Sequence, residues 1–202
     1  YFLQMNNTLK NSIAQKPLFS ILFLCFVSTA MHWQIFTTDL VGVHVWRQSQ
    51  TQINIQNFVR HDFNIMNPRN NFVSGVSNIK RFEFPVMQWL IALADKVFGE
   101  SITVTRISMF LIGIACVIGV FFLLKTVLKD NLVALSGAWA FNFSPLFYYY
   151  TINPLPDVFA LCCTIWYMFF LFSYIDRQKT TLLLSAAFFL GLANLAKLPF
   201  VV

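Results

Sequence analysis

The chain has 202 residues, of which 57% are hydrophobic and only 11% charged, with 24 phenylalanines and a formal net charge of +6. An average soluble domain carries roughly 25% charged residues, and disordered chains are polar and charge-rich, so this composition excludes both. The basic residues flank apolar runs instead of forming a stripe, which suits membrane topology and argues against nucleic acid as a partner.

Taken in chain order, five apolar segments are long enough to cross a bilayer as helices: 17–36, 102–124, 132–150, 157–175 and 181–202. Helices are required because backbone groups in lipid must be satisfied within the segment, and a barrel would need alternating strands. The expected fold is therefore all-α, a polytopic transmembrane helical bundle. The chain opens on Tyr1 and stops at Val202 inside an apolar run, and is expected to be the N-terminal part of a longer module. Lys10 and Lys16, Lys125 and Lys129, and Arg177 and Lys179 crowd three short segments, whereas the long stretch 37–101 is more dilute in basic residues and 151–156 has none. The positive-inside rule then places the N-terminus in the cytoplasm and the loop 37–101 outside.

That loop is too long to be only a connection. Within it, Val86, Trp89, Leu90, Leu93 and Val97 recur at helical spacing between Pro85 and Gly99, predicting an amphipathic helix lying at the membrane interface with Trp89 at headgroup level. The stretch from Trp46 to Arg60 is a second helical candidate, more polar and better suited to a buried site. Cys25, Cys116, Cys162 and Cys163 all fall in apolar segments and read as small core filler, not as a disulfide or zinc framework. His61-Asp62 lacks a second ligand pair, so neither a metal site nor a cofactor is expected. His32, inside the first segment, suits an interhelical hydrogen bond, and Tyr148, Tyr149 and Tyr150 suit an interfacial belt.

The remaining polar groups gather toward the outer face: Asp39, His44, Arg47 and Gln48 after the first segment, Glu83 before the amphipathic helix, Arg106 in the first turn of the second segment, and Asp157 at the start of the fourth. Lys197 lies deep in the fifth, where a charge is costly and marks function by default. Acids and bases converging on one membrane surface suit a lipid-attached, charged substrate.

The run Phe84-Pro85-Val86-Met87-Gln88-Trp89-Leu90, followed by Phe98-Gly99-Glu100-Ser101 and Arg106-Ile107-Ser108, resembles a pattern of GT-C membrane glycosyltransferases, the group of protein O-mannosyltransferases and aminoarabinose transferases. Pro156-Asp157 and the run Gly191-Leu192-Ala193-Asn194-Leu195-Ala196-Lys197-Leu198-Pro199 resemble further motifs of that group. The resemblance covers roughly residues 35–200. It implies transfer of a sugar from a polyprenyl-phosphate or dolichyl-phosphate carrier to an acceptor hydroxyl on a glycan, lipid or protein, by an inverting displacement. A carboxylate would take the acceptor proton, and basic side chains would hold the lipid phosphate. Where the group carries an Asp-Glu pair, this chain reads His44-Val45-Trp46-Arg47-Gln48, a form that resembles a bacterial subgroup and points to the inner (plasma) membrane. Asp39 is then the first choice of base, with Glu83 and His44 as alternatives. Arg47, Gln48, Arg106, Asp157 and Lys197 are expected to bind substrate. The rival readings are a flippase or transporter for a lipid-linked glycan and a non-catalytic membrane scaffold.

Overall fold

The computed structural model describes residues 17–71, 78–79 and 83–197. Lys10, Lys16, Lys80, Arg81 and the end of the fifth predicted segment, 198–202, lie outside these. The described residues are helical, with one isolated bridge between Arg69 and Ile79 and no strands. The helices are α1 (Pro17–His32), continued by a 3-10 turn (Trp33–Thr37), α2 (Val45–Arg60), α3 (Val86–Phe98), α4 (Ile102–Leu128), α5 (Asn131–Asn142), α6 (Pro145–Tyr150), α7 (Pro156–Arg177) and α8 (Thr180–Ala196).

Three helical stretches are long and apolar enough to cross a membrane: Leu18–Thr37, Ile102–Leu128 and Pro156–Arg177. At 27 residues, α4 extends about 40 Å, more than the roughly 30 Å hydrocarbon core. It forms the spine, packed on α7, α5 and α3. Its start is set by Ser101, whose hydroxyl accepts from the Val104 amide at 3.1 Å. Its end is set by Lys129, whose left-handed backbone (φ 57) terminates the helix. Asp130 then starts α5 by accepting from the Leu132 and Val133 amides. Gly113 of α4 allows close approach of the turn after α6, where a Cβ would collide with the Thr151 side chain. Cys116, Cys162 and Cys163 are free thiols buried in the helix interfaces, as small apolar filler should be.

The apolar segment 132–150 is not one continuous helix. Phe143 and Ser144 break it, and Pro145 starts α6 at its first turn. Nearby, His32 is buried, with Nδ1 2.7 Å from the Ser28 carbonyl and its ring centroid 4.1 Å from that of Tyr148, tilted by 33°. Its neighbour Ser28 donates to Asn142 at 3.3 Å. α1 is thus fastened to the α5–α6 break by polar contacts.

The segment between α1 and α4 contains the two helices expected there. α2 and α3 run side by side in the same direction. Arg47 pairs with Glu83 at their starts, and Arg60 pairs with Glu100 at their ends. Trp89 donates its indole N–H to the Phe63 carbonyl at 3.0 Å, and Lys96 sits 3.6 Å over the Phe63 ring. Trp89 is therefore an internal fastener on one side of α3. The opposite side, with Leu90, Leu93, Val97 and Phe98, is exposed and apolar, as a membrane-surface helix requires.

Asp95 on the inner face of α3 is 2% exposed, and neither carboxylate oxygen has a partner at full hydrogen-bond geometry. Burial pushes its carboxyl up to about 6, against a weaker opposing pull from the Ser101 main chain and with a further push from Glu100. Between about pH 4 and pH 6 the folded state therefore holds a proton that the unfolded chain has released, and stability falls as pH rises through that window. Asp95→Asn is expected to abolish this slope, read from melting temperature against pH in detergent. An unchanged slope would remove Asp95 as its source.

Candidate functional site

Four elements meet around one cavity of about 540 Å³. The turn into α2 contributes His44 and Arg47, the α5–α6 break contributes Phe141, Ser144, Phe147 and Tyr150, the start of α7 contributes Asp157 and Leu161, and the end of α8 contributes Lys197. Most of the wall is aromatic or aliphatic. His44, Arg47, Asp157 and Lys197 are the titratable exceptions in that wall. Broken helical backbone in apolar surroundings is tolerated where it lines a cavity, and Phe141, Ser144 and Phe147 around the Phe143–Ser144 break line this one.

Lys197 donates from its ammonium to Oδ1 of Asp157. Asp157 lies in the first turn of α7, where the helix dipole favours a carboxylate. Lys197 is not embedded in a helix: α8 ends at Ala196, and Lys197 follows in extended conformation. Arg47 Nη2 donates to Glu83 Oε2 at 2.7 Å. Glu83 does not line the large cavity, and lies beyond Arg47 in a smaller polar cleft. The Phe84 amide donates to the Leu195 carbonyl at 3.2 Å, tying the Glu83 segment to the end of α8 that carries Lys197.

His44 occupies the left-handed region, with φ 61 and ψ 25. Such a conformation is uncommon for a residue with a Cβ and costs on the order of 1–3 kcal/mol unless its surroundings hold it. Here the two preceding residues do. The Val43 carbonyl accepts from Gln48 Nε2 at 2.9 Å and from the Tyr149 hydroxyl at 3.0 Å. Gly42, at φ 93, lets that hydroxyl lie 2.6 Å from where a Cβ would stand. The result is an imidazole facing the cavity, its ring 6.2 Å from Tyr150 and its nitrogens without a hydrogen-bond partner among the described residues.

The residues singled out in the sequence thus divide. His44, Arg47, Asp157 and Lys197 line one cavity, and Glu83 reaches it through Arg47. Asp39 is exposed and outside the cavity wall, its carboxylate making no hydrogen bond among the described residues. Gln48 is buried and braces Val43. Arg106 is 1% exposed and spends its guanidinium on protein. Nε donates to Thr38 O at 2.9 Å, Nη2 to Asp39 O at 2.7 Å, and Nη1 to Ile152 O and Asn153 Oδ1, each at 3.3 Å. Gln48 and Arg106 are thus committed to protein groups and do not line the cavity. Among the described residues, no three His, Cys, Asp or Glu side chains gather as a metal site.

An all-helical membrane protein with a long elaboration between its first two spanning helices, and a mostly apolar cavity whose wall holds paired charges, has the build of a GT-C membrane glycosyltransferase. Residues 83–202, more than half of the chain, match the family model described as dolichyl-phosphate-mannose-protein mannosyltransferase, and the chain belongs to that family. The match takes in Glu83, Asp157 and Lys197 but begins after His44 and Arg47. No curated protein and no solved structure matches the chain.

Proposed function

We propose that the protein takes a sugar from a polyprenyl-phosphate or dolichyl-phosphate carrier and passes it to an acceptor hydroxyl on the outer face of a bacterial inner (plasma) membrane. The observation that carries this reading is the 540 Å³ cavity, mostly aromatic and aliphatic, whose lining includes the cations Arg47 and Lys197. The apolar lining suits the first isoprene units of the carrier, and the two cations suit its phosphate. Both cations are ion-paired within the protein, so an arriving phosphate exchanges partners with Glu83 and Asp157. The Lys/Arg distribution supports a cytoplasmic N-terminus, with the α2–α3 segment outside.

In this reading His44 is the base. The acceptor oxygen gives its proton to an imidazole nitrogen and attacks the anomeric carbon from the side opposite the phosphate. The bond from that carbon to the phosphate oxygen breaks, and its electron pair leaves on the lipid phosphate, where Arg47 and Lys197 stabilise it. His44 is favoured over Asp39 because it faces the cavity, and over Glu83 and Asp157 because neither ring nitrogen is committed to a partner.

The test is transfer from a labelled polyprenyl-phosphate sugar by membranes holding the full-length protein. Lys197→Ala is expected to lower the rate about 10²- to 10³-fold at matched expression. Wild-type membranes that move labelled lipid across the bilayer without transferring sugar from any donor in a panel would replace this reading with a flippase.

A further inference from the structure

Three consecutive tyrosines, Tyr148, Tyr149 and Tyr150, end the short helix α6. A helix turns about 100° per residue, so three consecutive side chains fan out to different neighbours. Tyr148 reaches the first spanning stretch, where its hydroxyl donates to the Met31 carbonyl at 3.1 Å. Tyr150 lines the large cavity, its ring 6.2 Å from that of His44. Tyr149 is not in the cavity wall. Its hydroxyl donates to the Val43 carbonyl, 106 residues away in sequence, at 3.0 Å.

That carbonyl belongs to the peptide unit that ends in the nitrogen of His44. The plane of this unit sets φ of His44, which at 61 is a conformation that its Cβ disfavours. If the plane turned over, His44 would relax to negative φ and its imidazole would leave its bearing on the cavity. Two donors oppose that turn: Gln48 Nε2 at 2.9 Å and Tyr149 Oη occupy the two lone pairs of Val43 O. Gln48 belongs to the first turns of α2 and moves with His44. Tyr149 comes from α6, a wall of the cavity, so its bond alone fixes the plane relative to the site.

The anchor is itself held. Asn153 Nδ2 donates to Tyr149 O at 2.8 Å, and Asn153 Oδ1 accepts from Arg106 at 3.3 Å. The same guanidinium holds the carbonyls of Thr38 and Asp39. The turn from 38 to 44 is thus tied twice to the end of α6, through Arg106 at its start and through Tyr149 at its finish. Gly42 makes the second tie possible, since a Cβ there would stand 2.6 Å from Tyr149 Oη. Val43 and His44 are exposed, so water can donate in place of the hydroxyl, but a water carries no tie to α6.

We propose that Tyr149 is a positioning residue for sugar transfer, whose hydroxyl pins the Val43–His44 peptide plane and so aims the His44 imidazole into the cavity. The proposal rests on the reading of His44 as base given above.

The experiment measures transfer from a panel of labelled polyprenyl-phosphate sugars by the full-length protein in membranes, for wild type, Tyr149→Phe, His44→Asn and the double variant, with binding of bare polyprenyl phosphate measured beside it. Tyr149→Phe should lower kcat about three- to tenfold, the weight of one net hydrogen bond, and leave donor KM and carrier affinity within about twofold. In the His44→Asn background the same substitution should change kcat by no more than about 1.5-fold, because a residue that acts through the imidazole has nothing left to act on. Equal losses in the two backgrounds would mean that Tyr149 acts on another group. Wild-type kcat for Tyr149→Phe beside an inactive His44→Asn would mean that Gln48 alone holds the turn. Either result overturns the proposal and leaves the donor reading standing. A His44→Asn that keeps the wild-type rate, or a wild type that transfers no sugar from the panel, overturns the reading of His44 as base and this proposal together.

Discussion

His44→Asn is expected to lower sugar transfer by about 10²- to 10⁴-fold, the range over which a positioned acid–base group contributes. Asparagine is the informative replacement because it tolerates the left-handed backbone that position 44 adopts, so the turn into α2 survives while the imidazole is lost. Carrier binding should change little, since Arg47 and Lys197 are untouched, and the loss should appear in kcat. A variant that keeps more than half the wild-type rate, beside an inactive Asp39→Asn, would move the base to Asp39.

The apolar segments were legible in the sequence because hydropathy is a composition property, and α2 and α3 because their spacing is helical. The break at Phe143–Ser144 was not, since a continuous apolar run carries no sign that its backbone stops being helical there. The same limit applies to the charged residues. Their types and their side of the membrane could be read, but not which ones share a wall. Arg106 and Lys197 look alike in sequence, each a cation near the end of an apolar run. In the fold one faces inward onto carbonyls and the other faces the cavity. Asp39 drew notice for its position after the first segment, yet its main-chain carbonyl is what the fold uses.

Arg106→Met is expected to be lost at the level of folding, before any effect on chemistry can be read. The guanidinium gathers three carbonyls and one amide oxygen from the 3-10 end of the first spanning stretch and from the turn before α7. Neither segment can satisfy those oxygens with regular helical bonds, and the side chain is too buried for water to replace it. Hydrogen bonds to a charged group contribute about 1.5–3 kcal/mol each, and removing the donor leaves its acceptors desolvated and unpaired. Even at the lower end for two of the four bonds, the loss is about 3 kcal/mol, a sizeable share of the 5–15 kcal/mol that holds a typical domain together. Accumulation of full-length protein in membranes should fall several-fold, and the detergent-solubilised remainder should melt earlier. Arg106→Lys should rescue only part, because an ammonium cannot reach all four oxygens with a planar fork. Normal accumulation and melting for Arg106→Met, with transfer abolished, would assign Arg106 a direct role at the substrate instead.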